Sequence, residues 1–425
     1  MPVRILLVHN HYQQPGGEDE SFAAEAGMLR RAGHDVIEYR QHNDAIREMP
    51  ALSLLAKTYW NRAVYSDLRK LIQQRRPEVA HFNNTFPLIS PSAYYAARDE
   101  NVPTVQALRN FRLLCPGATF HRNGKVCQSC LGKAVAWPAA VHGCYRGSHL
   151  ASSIVAGMLA VHRAAGTWRN AIDLYFTPTE FARRKFIEGG IDPSRVVAKP
   201  NFVPHDPGVG SGAGRYGVFV GRLAPEKGLH GLLAAWRLLG QSGHRIDLKV
   251  IGDGPLGASL RAQDGAGGIQ WLGRRRQQDV FDIMGQAKFL VFSSEWYETF
   301  GRVVIEAFAK GTPVIASNLG AMAEIVEHER TGLLFEPGNA AALADAVRRL
   351  LADPLLLARM RVEARVEYQT KYMPDQNYMM LMGIYGKAIG MHQQPRVNAV
   401  VQRDGLPDGI GPSLPLERAC EPAEM

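Results

Sequence analysis

The strongest constraint on the fold is a regular alternation of short apolar runs and amphipathic stretches along the first hundred residues. The run VRILLV is followed by a loop and then by EDESFAAEAGMLRRAG, which has helical spacing, acids in its first turn and Gly33 at its end. HDVIEYR, EVAHFN and VPTVQAL read as further strands separated by helical stretches. Strands that alternate with helices in this way predict an α/β fold with a parallel, doubly wound sheet.

A second series of the same kind follows a segment rich in proline and glycine, KPNFVPHDPGVGSGAGRYG. We interpret this segment as a linker between two doubly wound halves. Ligands of such sheets bind at the carboxyl ends of the strands, so the expected site is a cleft between the halves. The predicted parts are an N-terminal domain at 1–205 with a cysteine-rich insertion at about 109–148, a C-terminal domain at 216–370, a last helix at 371–390 and a disordered tail at 391–425.

Charge and hydropathy narrow the classes of function. Lys and Arg number 49 and Asp and Glu number 40, a balance of +9 that suits an anionic ligand or an anionic bilayer surface. No dense basic run typical of a nucleic-acid arm is visible, and no stretch approaches the ~20 apolar residues of a membrane span. The N-terminal apolar run is too short for a signal peptide. We therefore expect a cytoplasmic protein without a nucleic-acid partner, whose contact with the inner membrane face would be peripheral.

Two carboxylates flank a glycine turn in the stretch SSEWYETFGRVVIEAFAKGTPVIAS. Glu298 precedes Thr299, Phe300 and Gly301 on a predicted strand-to-helix loop, and Glu306 lies on the helix that follows. Eight helical residues span roughly 12 Å, which exceeds the about 5–9.5 Å of a glycoside-hydrolase pair. An extended ligand fits better, with an acid at each end and an anion bound by the N–H groups of the turn. The pattern indicates a sugar nucleotide; the alternative is that both acids are solvated surface charges.

Two more strand-end loops belong to the same half. VGRLAPEKG places Arg222 at the end of a strand and Lys227 before a helix, where two cations can neutralise a diphosphate. Ordinary surface charge is the alternative. VIGDGP places Gly252, Asp253 and Gly254 in a loop where glycine lets a ligand approach the backbone closely. Three such loops in sequence order predict one composite site.

These motifs resemble those of the two-domain GT-B retaining glycosyltransferases of family four. ETFGRVVIE resembles that family's E-x7-E element, GRLAPEKG its diphosphate-binding loop, and GDGP its nucleotide-side loop. GGEDE, with Gly16 and Gly17, resembles its N-terminal glycine loop, and GIYGKAIG its last helix, which crosses back to the N-terminal domain. The similarity covers roughly residues 1–390. It implies two Rossmann-like domains that face each other across a cleft.

The resemblance also implies what individual residues do. Glu298 would bind hydroxyls of the donor sugar and Glu306 the ribose, while Arg222 and Lys227 would balance the leaving diphosphate. The glycines of GGEDE would face the donor phosphates and the acceptor. Such enzymes take a nucleotide-diphosphate sugar, retain the anomeric configuration and need no catalytic cofactor, because the protein acts by electrostatics and positioning. The commonest role among look-alikes is surface polysaccharide synthesis on a glycan or lipid-linked acceptor.

One position departs from the family pattern. Many relatives carry a histidine in the donor-sugar site after the strand that corresponds to VPTVQAL, whereas ALRNFRL places Arg109 there. Either Arg109 takes a charge-stabilising role or another residue does this work. His81 ends the preceding strand and would reach the cleft, or else it is an ordinary hydrogen-bonded histidine. His9 and His11, beside the first loop, are weaker candidates.

Two other classes of function stay open. Within enzymes, the alternative is an epimerase or a phosphorylase on the same fold, although we see no cofactor lysine in a glycine-rich context. Outside enzymes, the alternative is a non-catalytic protein that binds sugar nucleotides or acts as a scaffold, with the cysteine loop as its partner site. The intact acid pair and the two cations argue against this alternative, and Arg109 argues for it.

The predicted insertion contains four of the five cysteines, with the spacing C-x11-C-x2-C-x13-C: Cys115, Cys127, Cys130 and Cys144. Asn123-Gly124 predicts a hairpin turn that would bring the first of them towards the middle pair. In a reducing compartment clustered cysteines bind metal more often than they form disulfides, and four thiolates make a closed, structural zinc site. The alternatives are four reduced, independently packed cysteines or a redox pair at Cys127 and Cys130. His121 and His142 would be substitute ligands.

Overall fold

The computed structural model describes residues 2–14, 16–264 and 268–394. Its N-terminal half contains, in chain order, β1 (Arg4–His11), α1 (Gly17–Arg31), β2 (Asp35–His42), α2 (Ala51–Tyr59), α3 (Arg62–Arg75), β3 (Val79–Phe82), α4 (Ser92–Asp99), β4 (Thr104–Ala107), β5 (His121–Arg122), β6 (Lys125–Val126), α5 (Trp137–Val141), α6 (His149–Ala164), α7 (Thr167–Asn170), β7 (Leu174–Thr177), α8 (Glu180–Glu188) and β8 (Val196–Ala198).

Residues 199–215 then connect the halves without a helix or strand. The second half contains β9 (Tyr216–Val220), α9 (Leu229–Gln241), β10 (Asp247–Ile251), α10 (Gly257–Gln263), β11 (Ile269–Gly273), α11 (Gln277–Gln286), β12 (Phe289–Phe292), α12 (Arg302–Ala309), β13 (Val314–Ser317), α13 (Met322–Ile325), β14 (Gly332–Phe335), α14 (Ala340–Ala352), α15 (Pro354–Lys371) and α16 (Pro374–Gln393). Short 3-10 helices form at Asn43–Glu48, Pro193–Arg195 and Pro225–Lys227.

Each half is built on a six-stranded sheet, and the strand orders are β2-β1-β3-β4-β7-β8 and β11-β10-β9-β12-β13-β14. The neighbouring strands within each sheet run parallel, which confirms the predicted doubly wound α/β class. In each sheet the strand order reverses beside the first strand, at β1 and at β9. Ligands of such sheets bind outside the carboxyl ends of the strands at this reversal. The topology therefore directs attention to the loops that follow β1, β9 and β12.

Helix α16 returns from the second half to the first. Its side chains at Leu381, Ile384 and Tyr385 are buried in one apolar cluster with Phe22 of α1 and Val105 of β4. The predicted crossing of the last helix is thus confirmed, but the helix runs from Pro374 to Gln393, where 371–390 was predicted. Its start is set by a proline in the first helical position, which a helix accepts there without losing a hydrogen bond. Residues 391–393 belong to this helix, and the rest of the predicted tail, 395–425, lies outside the described residues.

Among the helices of the described residues, none combines the length and the apolar character that crossing a membrane would require.

Candidate active site

Two glycine loops of the second half pack together at the carboxyl ends of β9 and β10. Gly252 has φ +137°, and a Cβ there would lie 1.9 Å from the carbonyl oxygen of Gly221. A Cβ on Gly254 would lie 2.5 Å from the carbonyl oxygen of Leu223, whose own N–H donates to Asp253 O at 3.0 Å. Only glycine fits such close backbone approaches. The GRLAPEKG and GDGP loops therefore pack closely against each other at the carboxyl edge of the second sheet.

Glu298 and Lys227 form an ion pair at the carboxyl end of β12. The Lys227 ammonium donates to Glu298 Oε1 at 2.5 Å, and Ser294 Oγ donates to the same oxygen at 2.9 Å. Both side chains are largely buried, and the ammonium lies over the rings of Phe292 and Trp296. Glu298 of ETFGRVVIE is thus paired with Lys227 of GRLAPEKG, so the two motifs lie in a single site.

The turn between the two acids presents backbone donors. Gly301 precedes α12, and a Cβ there would lie 2.7 Å from Met322 Cε, so the turn packs tightly against α13. Among the described residues, no acceptor takes a hydrogen bond from the N–H groups of Thr299, Phe300 and Gly301. Such N–H groups at the N-terminus of a helix are suited to an anion.

Glu306 occupies the buried face of α12. Burial raises the pKa of its carboxyl group to about 7, although Arg302, whose Nη2 lies 3.5 Å from Glu306 Oε1, acts in the opposite direction. Arg302 Nη1 also donates to Glu20 Oε2 of α1 at 2.5 Å, which connects the two halves. Arg302 was not among the site residues predicted from the sequence. The only signal in the sequence was its place directly after Gly301.

Arg222 is the most accessible of the predicted donor-site cations. Its side chain is 60% exposed and pairs with Glu226 four positions further along the loop. An exposed pair of this kind contributes little to stability. The guanidinium can therefore exchange this partner for a phosphate group at small cost.

A cavity of about 250 Å³ separates the two halves at this point. Its lining from the first half is Gly17, Glu18, Ser21, Arg109, Asn110, Ala118, Pro178 and Asn201, and from the second half Trp296, Tyr297, Glu298, Thr299, Phe300 and Arg302. Gly17 faces Arg302 across it: a Cβ built on the glycine would lie 3.8 Å from Arg302 Cδ. Gly16 caps α1 beside it. The buried Nε1–H of Trp296 has no hydrogen-bond partner among the described residues.

Hydrogen bonds hold the two halves together around the cavity. Thr299 Oγ1 donates to the carbonyl oxygen of Arg109 at 2.7 Å, and Thr179 Oγ1 donates to the carbonyl oxygen of Thr299 at 3.0 Å. Glu324 of α13 accepts from the N–H groups of Glu180 and Phe181 at the start of α8. An acid at a helix N-terminus is favourable, so Glu324 of the second half stabilises the start of α8 in the first half.

Arg109 lines the cavity, but its guanidinium is already engaged. Nη2 lies 2.8 Å from Glu25 Oε1, Nε donates to Asn83 Oδ1 at 3.2 Å, and Nη1 donates to Asn201 Oδ1. Lys199 Nζ lies 2.9 Å from the same Glu25 oxygen. Burial alone would raise the pKa of Glu25, but the two cations outweigh it and hold that pKa well below its usual range. Arg109 thus stabilises the charge of Glu25, a buried glutamate of its own domain.

His81 lies beneath the cleft and does not reach it. The side chain is fully buried, its Nδ1 is hydrogen-bonded to Tyr385 OH of α16 at 2.9 Å, and burial lowers its pKa to about 4. The geometry corrects the interpretation of His81 as a cleft residue and favours the alternative of an ordinary hydrogen-bonded histidine. The physical reason is α16, whose Tyr385 packs against the His81 ring and is hydrogen-bonded to it.

His9, His11 and Asp19 form a hydrogen-bonded group behind the N-terminal loop. Asp19 Oδ1 lies 2.9 Å from His9 Nε2 and 3.2 Å from His11 Nδ1. Among the described residues this is the only group of three such ligand atoms within 4.8 Å of one another. His9 Nδ1 accepts from Asn84 N–H at 3.4 Å, so Nε2 carries the proton that is donated to Asp19. Asp19 also accepts from Gly16 N–H at 2.9 Å. Through these contacts the group of three side chains supports the glycine loop.

The four cysteines of the insertion converge on one small cavity, which His121 also lines. None of the four forms a disulfide. The predicted hairpin is confirmed, since β5 and β6 pair antiparallel and Asn123 and Gly124 have φ of 52° and 74°. His142 is not among the lining residues. The four sulfur atoms line one cavity, but no three of them lie within 4.8 Å of one another.

Comparison with known proteins gives this geometry a context. Residues 212–367 match the family model of glycosyl transferases group 1. The glycogen synthase of Mycobacterium tuberculosis is 30% identical over 195 residues, which are 45% of this chain and 47% of that protein. The 2-deoxystreptamine N-acetyl-D-glucosaminyltransferase of Niallia circulans is 28% identical over 181 residues, which are 41% and 46% of the two chains. The chain thus spans about half the length of the curated relatives it matches.

Solved structures extend the likeness over both halves. HepE from Anabaena in complex with UDP has a TM-score of 0.64 at 17% identity, over 90% of this chain and 99% of that one. Sucrose-phosphate synthase from Thermosynechococcus elongatus has a TM-score of 0.66 at 17% identity, over 91% and 99%. Identities this low show the fold alone. Residues 212–367 are therefore similar to a group 1 glycosyl transferase domain, and the chain as a whole shares the GT-B fold of these solved structures.

Proposed function

We propose that this protein is a retaining glycosyltransferase that moves a sugar from a nucleotide-diphosphate sugar to a glycan or lipid-linked acceptor. The observation that carries the proposal is the composite site at the end of β12. There, two buried acids flank a turn with unengaged N–H groups, which faces the glycine loop of α1 across a cavity. Two carboxylates on either side of an anion-binding turn suit the hydroxyls at the two ends of a sugar nucleotide.

In this proposal each part of the site has one task. The N–H groups of residues 299–301 bind the donor phosphates, and Lys227 and Arg222 neutralise the charge that develops on the leaving diphosphate. Glu298, which lines the cavity, binds the donor sugar, while Glu306 binds the ribose. The acceptor hydroxyl attacks from the side of the leaving group, so the anomeric configuration is retained and no protein nucleophile is needed. The protein accelerates the reaction by holding the two substrates together.

The direct test is donor turnover by purified protein. UDP-, GDP- and ADP-sugars are incubated with the protein, and release of the nucleoside diphosphate is measured with water as the acceptor. UDP-sugars come first, since the structural neighbour HepE was solved with UDP. We expect one donor class to be turned over, with Glu298→Gln lowering the rate more than the affinity. No release from any donor class, or equal rates in wild type and Glu298→Gln, would contradict the proposal.

We also propose that the insertion brings the protein to an anionic membrane surface, where a lipid-linked acceptor would lie. Trp137 and Leu150 are 57% and 72% exposed, and Val141 is exposed beside them. Lys133 Nζ lies 5.8 Å from the centroid of the Trp137 ring, so a cation accompanies this apolar surface. Aromatic side chains and cations together favour a bilayer interface. Co-sedimentation with vesicles that contain phosphatidylglycerol should exceed that with pure phosphatidylcholine and fall in Trp137→Ala; equal binding to both would refute it.

A further inference from the structure

We propose that Cys115, Cys127, Cys130 and Cys144 bind one structural zinc ion. The four thiols come from three segments of the insertion, since Cys127 and Cys130 share one loop, and they line a single small cavity of about 10 Å³. All four are free of disulfides. Four thiolates complete a tetrahedral shell at about 2.3 Å from the ion. The shell leaves no position for a substrate, so the ion takes no part in the transfer reaction.

The backbone of the insertion is arranged to bring these segments together. The hairpin of β5 and β6 returns the chain so that Cys127 N–H donates to Phe120 O at 2.7 Å. A Cβ on Gly117 would lie 3.1 Å from the carbonyl oxygen of Cys144, so the loop after Cys115 packs directly against the last cysteine. Cys130 and Cys144 share one small apolar cluster. Contacts between residues so far apart in sequence are costly to form by chance.

The part of the insertion around Cys130 has little apolar packing of its own, whereas Phe111, Leu114 and Phe120 pack into the core of the first half. The insertion's regular structure from residue 109 to 148 consists of two strands of two residues each and one helix of five. The buried members of the cluster around Cys130 are three alanines besides the cysteine itself. Segments with so little apolar burial are usually stabilised by disulfides or by a metal, and a disulfide is absent among these four cysteines.

Zinc binding replaces two weak contacts that the cysteine side chains make in its absence. Cys127 Sγ donates to Ser129 Oγ at 3.3 Å, and Cys130 Sγ lies 3.9 Å from the carbonyl oxygen of Ala136. Both contacts are weak sulfur hydrogen bonds, whereas each zinc–thiolate bond is strong.

The ion would fix a contact between the insertion and the second half. Gln128 lies between the two central cysteines; its Nε2 donates to Tyr297 OH at 3.0 Å, and its Oε1 accepts from Lys185 Nζ at 3.1 Å. Tyr297 directly precedes Glu298 in the chain. The zinc assignment itself does not depend on the proposed transferase activity.

The test begins with the full-length wild-type protein, purified without a metal-affinity tag from medium that contains zinc and iron. Elemental analysis should find about one zinc per chain. Titration of the thiols with a mercurial reagent, followed with a zinc-sensitive dye, should release the zinc as the thiols react. Substoichiometric zinc, iron in its place, or a Cys127–Cys130 disulfide found by mass spectrometry would overturn the proposal. This arm needs no variant and therefore does not depend on a variant folding.

Variants then assign the ligands. Cys115→Ser and Cys130→Ser should each lose the zinc and melt at a lower temperature than wild type. Cys420→Ser, which changes the one cysteine outside the insertion, should keep the zinc and the wild-type melting temperature. If both insertion variants retain a full equivalent of zinc, the ion is bound elsewhere. The zinc content per folded chain is read on the monodisperse fraction from size exclusion, so a partial folding defect does not obscure it.

Discussion

At the scale of single residues, Glu306 gives the sharpest prediction about pH. Burial raises its pKa from 4.5 to about 7 in the folded protein. Between these values the carboxyl group ionises in the unfolded chain but stays protonated in the fold, so the free energy of unfolding should fall as pH rises through this interval. The loss amounts to about 3 kcal/mol at most, at 1.36 kcal/mol per pKa unit.

Glu306→Gln should remove that dependence and be more stable than wild type above pH 7, but not at pH 4. Urea unfolding at several pH values measures the difference, and Glu48→Gln, which removes an exposed carboxylate, is the matched control. Parallel pH profiles for wild type and Glu306→Gln would show that Glu306 is not the residue responsible.

The two cations of the predicted diphosphate site should act on nucleotide affinity. Lys227→Ala and Arg222→Ala each remove a charge-assisted contact, and each should weaken nucleoside-diphosphate binding by about 1.5–3 kcal/mol. Arg276→Ala is the control, since Arg276 is a highly exposed arginine paired with Asp279. Calorimetric titration measures the affinities. Unchanged affinity in both site variants would mean that this loop does not hold the diphosphate.

Arg109 is expected to affect stability as well as activity. Arg109→Ala leaves Glu25 buried with Lys199 as its remaining cation, and loss of one partner from a buried ion pair costs about 3–5 kcal/mol. Arg109→His should keep or raise activity if this position lines the donor sugar, but it too should melt below wild type. Thermal melts and donor turnover on Arg109→Lys, Arg109→His and Arg109→Ala separate the two roles. Three variants with the wild-type melting temperature would show that the buried network does not stabilise the fold.

Some contacts of single residues could not be predicted from the sequence. Glu298, Lys227 and the glycines of the three loops lie at the strand ends where their motifs predicted them, because each motif is local; their roles stay predictions. The sequence did not identify Glu25, which reads as a helix surface charge but is buried between two cations. Arg302 was missed because its partner Glu20 is 282 positions away in the chain. Such pairings depend on how the halves meet, which no local pattern encodes.

At the scale of elements, strands and helices followed the sequence pattern closely where apolar spacing was regular. Helix α12 and the hairpin at Asn123-Gly124 formed where predicted, since a turn signal or glycine marked each boundary. The last helix was displaced by a few residues because α15 continues to Lys371 and Pro374 sets the next start.

Helix α16 and the residues beyond it should differ sharply in importance. A chain ending at residue 394 should fold and bind nucleotide like the full chain, because 395–425 lacks a core-forming pattern. A chain ending at residue 373 loses Leu381, Ile384 and Tyr385 from the core of the first half, and burying such side chains contributes about 1.5–3 kcal/mol each. Thermal melts compare the two truncations. A large loss of melting temperature in the longer one would show that the tail docks on the fold.

At the scale of the whole molecule, the two halves together form one site. The second half supplies Glu298 and the turn that follows it, and the first half supplies Gly17 of the glycine loop across the cavity. Arg302 and Glu324 each bind a group of the opposite half. A ligand that occupies this cavity touches both halves and should therefore stabilise the molecule as a unit.

The most direct test of the central claim is a thermal-shift screen of UDP-, GDP- and ADP-sugars against wild type, Glu306→Gln and Lys227→Ala. A ligand at 100 times its dissociation constant adds about 2.7 kcal/mol of stability. We predict that one nucleotide class raises the melting temperature of wild type, and that the shift shrinks in both variants. No shift with any sugar nucleotide, or the same shift in all three proteins, would contradict the account.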